Sequence, residues 1–172
     1  MSKTFVIAEA GVNHNGQEDL AFQLIDAAVM AGADAIKFQT FQAVNLASKS
    51  APKAQYQLNN TSKNESQQDM LHALELSEAA HINLSNYCVS KNIVFLSTPF
   101  DHESLRFLHQ EIGMKTFKVA SGELTNAPLL LEMARLKKPM IVSTGMSTLS
   151  EVEEALGVIA FGMMQSLDKP CK

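Results

Sequence analysis

Two lysines, two glutamates and a set of hydroxyls stand in one recurring relation to short apolar runs. Glu9 follows Phe5-Val6-Ile7-Ala8, with Asn13-His14-Asn15-Gly16 just beyond it. Lys37 lies in Ala33-Asp34-Ala35-Ile36-Lys37-Phe38, with Gln39 and Thr40 just after it, and Ser97-Thr98-Pro99-Phe100-Asp101 follows Ile93-Val94-Phe95-Leu96. Lys118 sits in Thr116-Phe117-Lys118-Val119, with Ser121-Gly122-Glu123 after it, and Ser143-Thr144-Gly145 closes the run from Met140. Lysines neutralise phosphate or carboxylate, while hydroxyls and the free N–H groups of Ser-Gly and Thr-Gly turns fix its orientation. A glutamate at the same place can move a proton. Such a set suits a small anionic ligand.

Each residue also has a plainer reading. Glu9 could cap a helix or pair with a lysine, and a lysine inside an apolar run can snorkel to the surface. Ser121-Gly122-Glu123 and Ser143-Thr144-Gly145 taken singly are ordinary strand-to-helix turns. His14 reads as a turn or structural residue, not a metal ligand. His72, His81, His102 and His109 show no metal-binding spacing and read as surface residues. The nine methionines read mostly as core filler. What lifts the set above these readings is its repetition at five strand ends.

The five apolar runs are short and bounded by turn residues, which predicts buried strands. Helical stretches separate them. Asp19 to Ala31 carries Leu20, Leu24, Ile25 and Ala28 at helical spacing with Gly32 as a stop, and Met70 to Ser90 contains a second helical region. Further short helices are expected around Leu105 and Leu108, from Leu129 to Leu136, and from Glu151 to Ile159. Strands alternating with helices predict an α/β fold with parallel strands, in which ligands bind at the C-terminal strand ends. The stretch from Gln42 to Asp69 breaks the rhythm; it is polar and long enough to be a functional loop. With no Gly- or Pro-rich linker, residues 1–172 read as a single domain.

Composition removes several function classes. The chain has 172 residues, 46% apolar and 19% charged, which is enough apolar content for a core and argues against disorder. A net charge of −4 without a Lys/Arg cluster argues against nucleic acid and anionic membranes as partners. No apolar window reaches the length of a membrane span, and the start lacks a signal-peptide pattern. Cys88 and Cys171 make neither a disulfide framework nor a zinc site, so a cytoplasmic location is expected.

Six segments in order, IAEAGVNHNG, GADAIKFQTF, APKAQYQ, FLSTPFD, FKVASGELTN and IVSTGMS, resemble the N-acetylneuraminate (sialic acid) synthase family. That family includes the legionaminate and pseudaminate synthases. The resemblance runs from about Val6 to Ala155, and Ala51 to Gln57 is more similar to the neuraminate and legionaminate branches. It implies a TIM (β/α)8-barrel-type domain, here truncated after about five βα units. The later barrel strands and a C-terminal antifreeze-like domain would be absent. It implies condensation of phosphoenolpyruvate with an N-acyl amino sugar of the N-acetylmannosamine type, giving a sialic-type nonulosonic acid and phosphate. A divalent metal, typically Mn2+, would activate the sugar aldehyde, with histidine ligands outside this chain and none within it.

Carried over by position, the resemblance makes Lys37, Thr98, Lys118, Ser121 and Ser143 contacts to phosphoenolpyruvate. Gln39 and Glu123 become sugar contacts, Glu123 also a proton donor or acceptor, and Glu9 an acid beside the reacting carbons. Tyr56 would close over the sugar. A partial barrel leaves strand edges unpaired, so a homodimer or other self-association is expected. Two other readings remain open at the level of sequence: a non-catalytic partial barrel, and a different phosphoenolpyruvate-dependent aldol-type synthase. An extension carrying the family's later His-Cys motif would discriminate against the first, and a panel of acceptor sugars against the second.

Overall fold

The structure, a computed structural model, describes residues 3–47 and 66–164. The chain divides into two compact units, Met1–Phe95 and Leu96–Lys172. In the first, β1 (Ile7–Gly11) pairs in parallel with β2 (Ala35–Thr40), and α1 (Glu18–Met30) connects them. The strand order is β1-β2-β3, with β3 spanning Val94–Pro99. A short α2 (Ala43–Leu46), then α3 (Gln67–Leu74) and α4 (Glu78–Ser90), complete this unit.

Alternation along β2 sorts the residues. Ile36, Phe38 and Thr40 are buried on one face, while Lys37 and Gln39 are half-buried on the other. Ala21, Ile25 and Ala28 of α1 and Ala80, Leu84 and Cys88 of α4 supply the helical side of the core. Phe38 stacks on Phe95 with ring centroids 5.7 Å apart.

In the second unit β4 (Phe117–Val119) pairs in parallel with β5 (Met140–Val142). Around them lie α5 (His102–Gln110), α6 (Ala127–Arg135) and α7 (Leu149–Met164). Asp101 caps α5 through Ser104 N–H at 2.8 Å, and Asn126 caps α6 with Pro128 in its first turn. Leu129, Leu130, Met133 and Ala134 of α6 are buried, as are Ala155 and Ile159 of α7. Gly162 lets α7 approach closely, since a Cβ there would meet Ala134 Cβ at 2.7 Å.

Three expectations need correction. The first three strands lie further along the chain than the apolar runs: Phe5 and Val6 precede β1, and β2 extends to Thr40. Apolar runs report burial against helices, whereas a strand continues while its backbone pairs, whatever its other face carries. Glu9, Gln39 and Thr98 are therefore strand residues, while Lys37 and Lys118 lie within β2 and β4 as their runs predict. The helical region from Met70 to Ser90 is two helices, because Glu75 is extended and Ser77 caps α4 through Ala80 N–H. His81 is buried rather than on the surface, and His109 is half-buried with its ring edge-on to Phe117. Both sit on helix faces that turn to the core.

Candidate functional site

The first unit brings Glu9, Lys37 and Gln39 to one face. Glu9 and Lys37 are register partners across β1 and β2, so their side chains leave the sheet together. Lys37 Nζ lies 2.5 Å from Glu9 Oε2; the lysine side chain is 12% exposed and the carboxylate side chain 55%. The lysine is thus mostly sheltered, and its counter-ion faces solvent. At the end of β1 the register slips between Glu9 and Gly11, and Gly11 has φ +54°. A Cβ at Gly11 would sit 3.2 Å from Glu9 Oε1 and 3.7 Å from Gln39 Nε2, so Gly11 holds open the ground these two side chains share. Its requirement is geometric, and no spacing of residue types announces it.

Behind the sheet, polar groups fix the strand ends. His81 Nδ1 lies 3.0 Å from the Ser77 carbonyl and Nε2 lies 3.0 Å from Thr40 Oγ1. Nδ1–H donates to the carbonyl, and in the neutral ring Nε2 then accepts from the hydroxyl. Burial pushes the pKa of His81 below the usual imidazole range. His14, also buried, accepts from Gly16 N–H at 3.1 Å. Burial, then the neighbouring His81, lowers its pKa as well. Both histidines are buried, and His14 Nε2 has no hydrogen-bond partner among the described residues. Cys88 is buried, and burial pushes its thiol up to about 12, so it is inert as a nucleophile.

The second unit gathers the hydroxyls. Lys118 Nζ donates to Ser143 Oγ at 2.5 Å and to the Val119 carbonyl. Ser121–Glu123 forms one 3-10 turn directly after β4. Gly145 lies against it, with room for a Cβ only 3.6 Å from Ser121 Oγ. Lys118, Ser143 and Ser121 thus line the ends of two adjacent parallel strands. Glu123, half-buried, accepts from Asn126 Nδ2 at 2.7 Å. Thr98 is buried within β3, 2% exposed. Tyr56 lies outside the described residues.

Asn126 was not among the candidates drawn from sequence. Its signal was present, an Asn two residues before a Pro at a helix start, but that signal reads as a cap and nothing more. Among the described residues no three His, Cys, Asp or Glu side chains converge as a metal site. No described helix is long and apolar enough to cross a membrane.

Comparison with known proteins follows the same residues. The N,N'-diacetyllegionaminic acid synthase of Campylobacter jejuni is 53% identical over 159 residues, covering 92% of this chain and 47% of that protein. The enzyme of the same name from Legionella pneumophila is 50% identical, covering 90% of this chain and 43% of that one. The chain spans about half the length of these relatives. A crystal structure of N-acetylneuraminic acid synthetase from Leptospira borgpetersenii, in complex with citrate, superposes with a TM-score of 0.77 at 31% identity. It covers 94% of this chain and 52% of that one. The fold is of the TIM-barrel type. Residues 24–168 match the NeuB family, and relatives on that scale of identity are synthases of sialic-type acids. Strand-end lysines and hydroxyls, fold and matched length agree: the chain belongs to the NeuB family.

Proposed function

We propose that the protein condenses phosphoenolpyruvate with an N-acyl amino sugar to give a nonulosonic acid and phosphate. The observation that carries this is the Lys118–Ser143 contact beside Ser121, a cation and two hydroxyls at adjoining strand ends. A phosphate or carboxylate is the natural partner of that set. The citrate in the Leptospira complex shows that this relative accepts a polycarboxylate, in keeping with an anion site here.

In this reading Lys118, Ser121 and Ser143 of the second unit hold one end of phosphoenolpyruvate, and family membership, not the placement of the units, supports Lys37 and Thr98 as further contacts. Gln39 and Glu123 contact the sugar. The methylene carbon of phosphoenolpyruvate attacks the open-chain aldehyde carbon, and Glu123 supplies the proton that the aldehyde oxygen takes up. Water adds to the carbon left cationic, and Glu9 orients it and takes its proton. The tetrahedral product breaks its C–O bond to phosphate, so one water is consumed and one phosphate released. A divalent metal, manganese in type, belongs to the proposal as a Lewis acid on the aldehyde. The described residues offer no ligand set for it, so no step here depends on it. The names of the two bacterial relatives favour an acceptor hexose bearing two N-acetyl groups.

The test is mass spectrometry of products from phosphoenolpyruvate, a divalent metal and a panel of acceptors: N-acetylmannosamine, a diacetamido hexose and plain aldoses. A nonulosonic acid from an N-acyl sugar alone is the expected result. Condensation with plain aldoses, and none with N-acyl sugars, would transfer the protein to another class of aldol-type synthase.

A further inference from the structure

We infer that Asn126 is a positioning residue that fixes Glu123 for its work on the sugar. This rests on the condensation reading above. The Asn126 side chain makes two bonds at once: Oδ1 accepts from Leu129 N–H at 3.3 Å, and Nδ2 donates to Glu123 Oε2 at 2.7 Å. Only one amide orientation satisfies both partners, since an N–H needs the oxygen and a carboxylate needs the nitrogen. The backbone repeats the link, with Asn126 N–H donating to the Glu123 carbonyl at 3.0 Å and Glu123 N–H donating to that of Ala120 at 3.0 Å. Glu123 is therefore tied through a planar amide to α6, which is itself anchored by Leu129, Leu130, Met133 and Ala134 in the core.

A helix cap alone does not require asparagine. Serine and aspartate accept from the first-turn N–H groups about as well. Aspartate has no donor to offer a carboxylate, and serine would have to donate through the same single oxygen that caps the helix, whereas the amide uses two separate atoms. The amide occupies Oε2 and leaves Oε1 without a hydrogen bond to any described residue. One oxygen is held and the other is presented.

The full chain tests this with Asn126→Ser, Asn126→Asp and Glu123→Gln, singly and in pairs. Asn126→Ser keeps the cap, so its melting midpoint should match the parent. Its kcat should fall about 10- to 100-fold, with KM for both substrates nearly unchanged. In the Glu123→Gln background the same substitution should cost nothing further, because the two act as one unit. An equal loss in both backgrounds, or no loss in the parent, would overturn the assignment. If the parent releases no phosphate, the condensation reading fails separately, and the contact is judged by urea unfolding. Asn126→Asp removes the Nδ2 donor and sets two carboxyl groups against each other, so it should lower the urea midpoint in the parent and be relieved by Glu123→Gln. The same lowering in both backgrounds would refute the link.

Discussion

Glu9 and Lys37 face each other across the β1–β2 register, with 2.5 Å between the carboxylate oxygen and the ammonium. The lysine is the sheltered partner, so neutralising Glu9 leaves it without its counter-ion. Glu9→Gln should destabilise the first unit by about 1–2 kcal/mol. That is less than the roughly 3–5 kcal/mol for breaking a fully buried pair, because Glu9 is more than half exposed. Urea unfolding followed by circular dichroism measures it, and an unchanged midpoint would show that Lys37 has no need of this partner.

Lys118 donates to Ser143 Oγ at 2.5 Å at the mouth of the β4–β5 pair. Lys118→Ala should weaken phosphoenolpyruvate binding by about 2–5 kcal/mol, the scale for a desolvated charge contact. Ser143→Ala removes one neutral hydrogen bond and should cost about 1 kcal/mol. Titration calorimetry reads both. Affinity unaltered in Lys118→Ala would take this lysine out of the anion site.

How much of this was legible in the sequence varies from residue to residue. Asp101 and Pro128 announce helix starts by type, and the structure has a cap and a first turn there; Ser77 carries the same signal, but the reading of Met70 to Ser90 as one helical region passes over it. Lys118 and Ser143 lie on runs of apolar residues whose pairing follows from strand spacing, so their meeting was foreseeable. Thr40 and His81 were not. Their hydrogen bond joins positions 41 residues apart, and nothing in the local pattern around His81 shows that its face of α4 turns inward. Gly11 and Asn126 escaped for a similar reason: each acts through the exact location of another side chain, which residue type does not encode.

His81 and His14 make the first unit acid-sensitive. Both have folded-state pKa values lowered by burial, so below the ordinary imidazole value of about 6.5 the unfolded chain binds more protons than the folded one. Stability is then fully present above about pH 6.5 and lost as pH falls from there toward the lowered folded values, at up to about 1.4 kcal/mol per pH unit for each histidine. His81→Gln should flatten the decline between about pH 6.5 and 5. Urea midpoints across that range give the slope, and an identical slope in the variant would remove His81 as its source.

Gly16 sits at φ +73°, and a Cβ there would come 2.3 Å from the Ala73 carbonyl oxygen. Gly16→Ala should therefore destabilise the first unit by about 2 kcal/mol or more, from backbone strain and collision together. The change also disturbs the Gly16 N–H that His14 accepts. Thermal unfolding with the parent's midpoint would show that the β1–α1 turn yields more easily than its geometry implies.

The most direct measurement for the account as a whole is phosphate release by the full chain and its Glu123→Gln variant, paired with calorimetric binding of each substrate. Release in the parent should require both phosphoenolpyruvate and an N-acyl amino sugar. In the variant, binding should persist while turnover falls by roughly 10²–10⁴-fold, the scale for losing a positioned proton donor. Near-normal turnover in Glu123→Gln, or release from phosphoenolpyruvate that is indifferent to the sugar, would contradict the account.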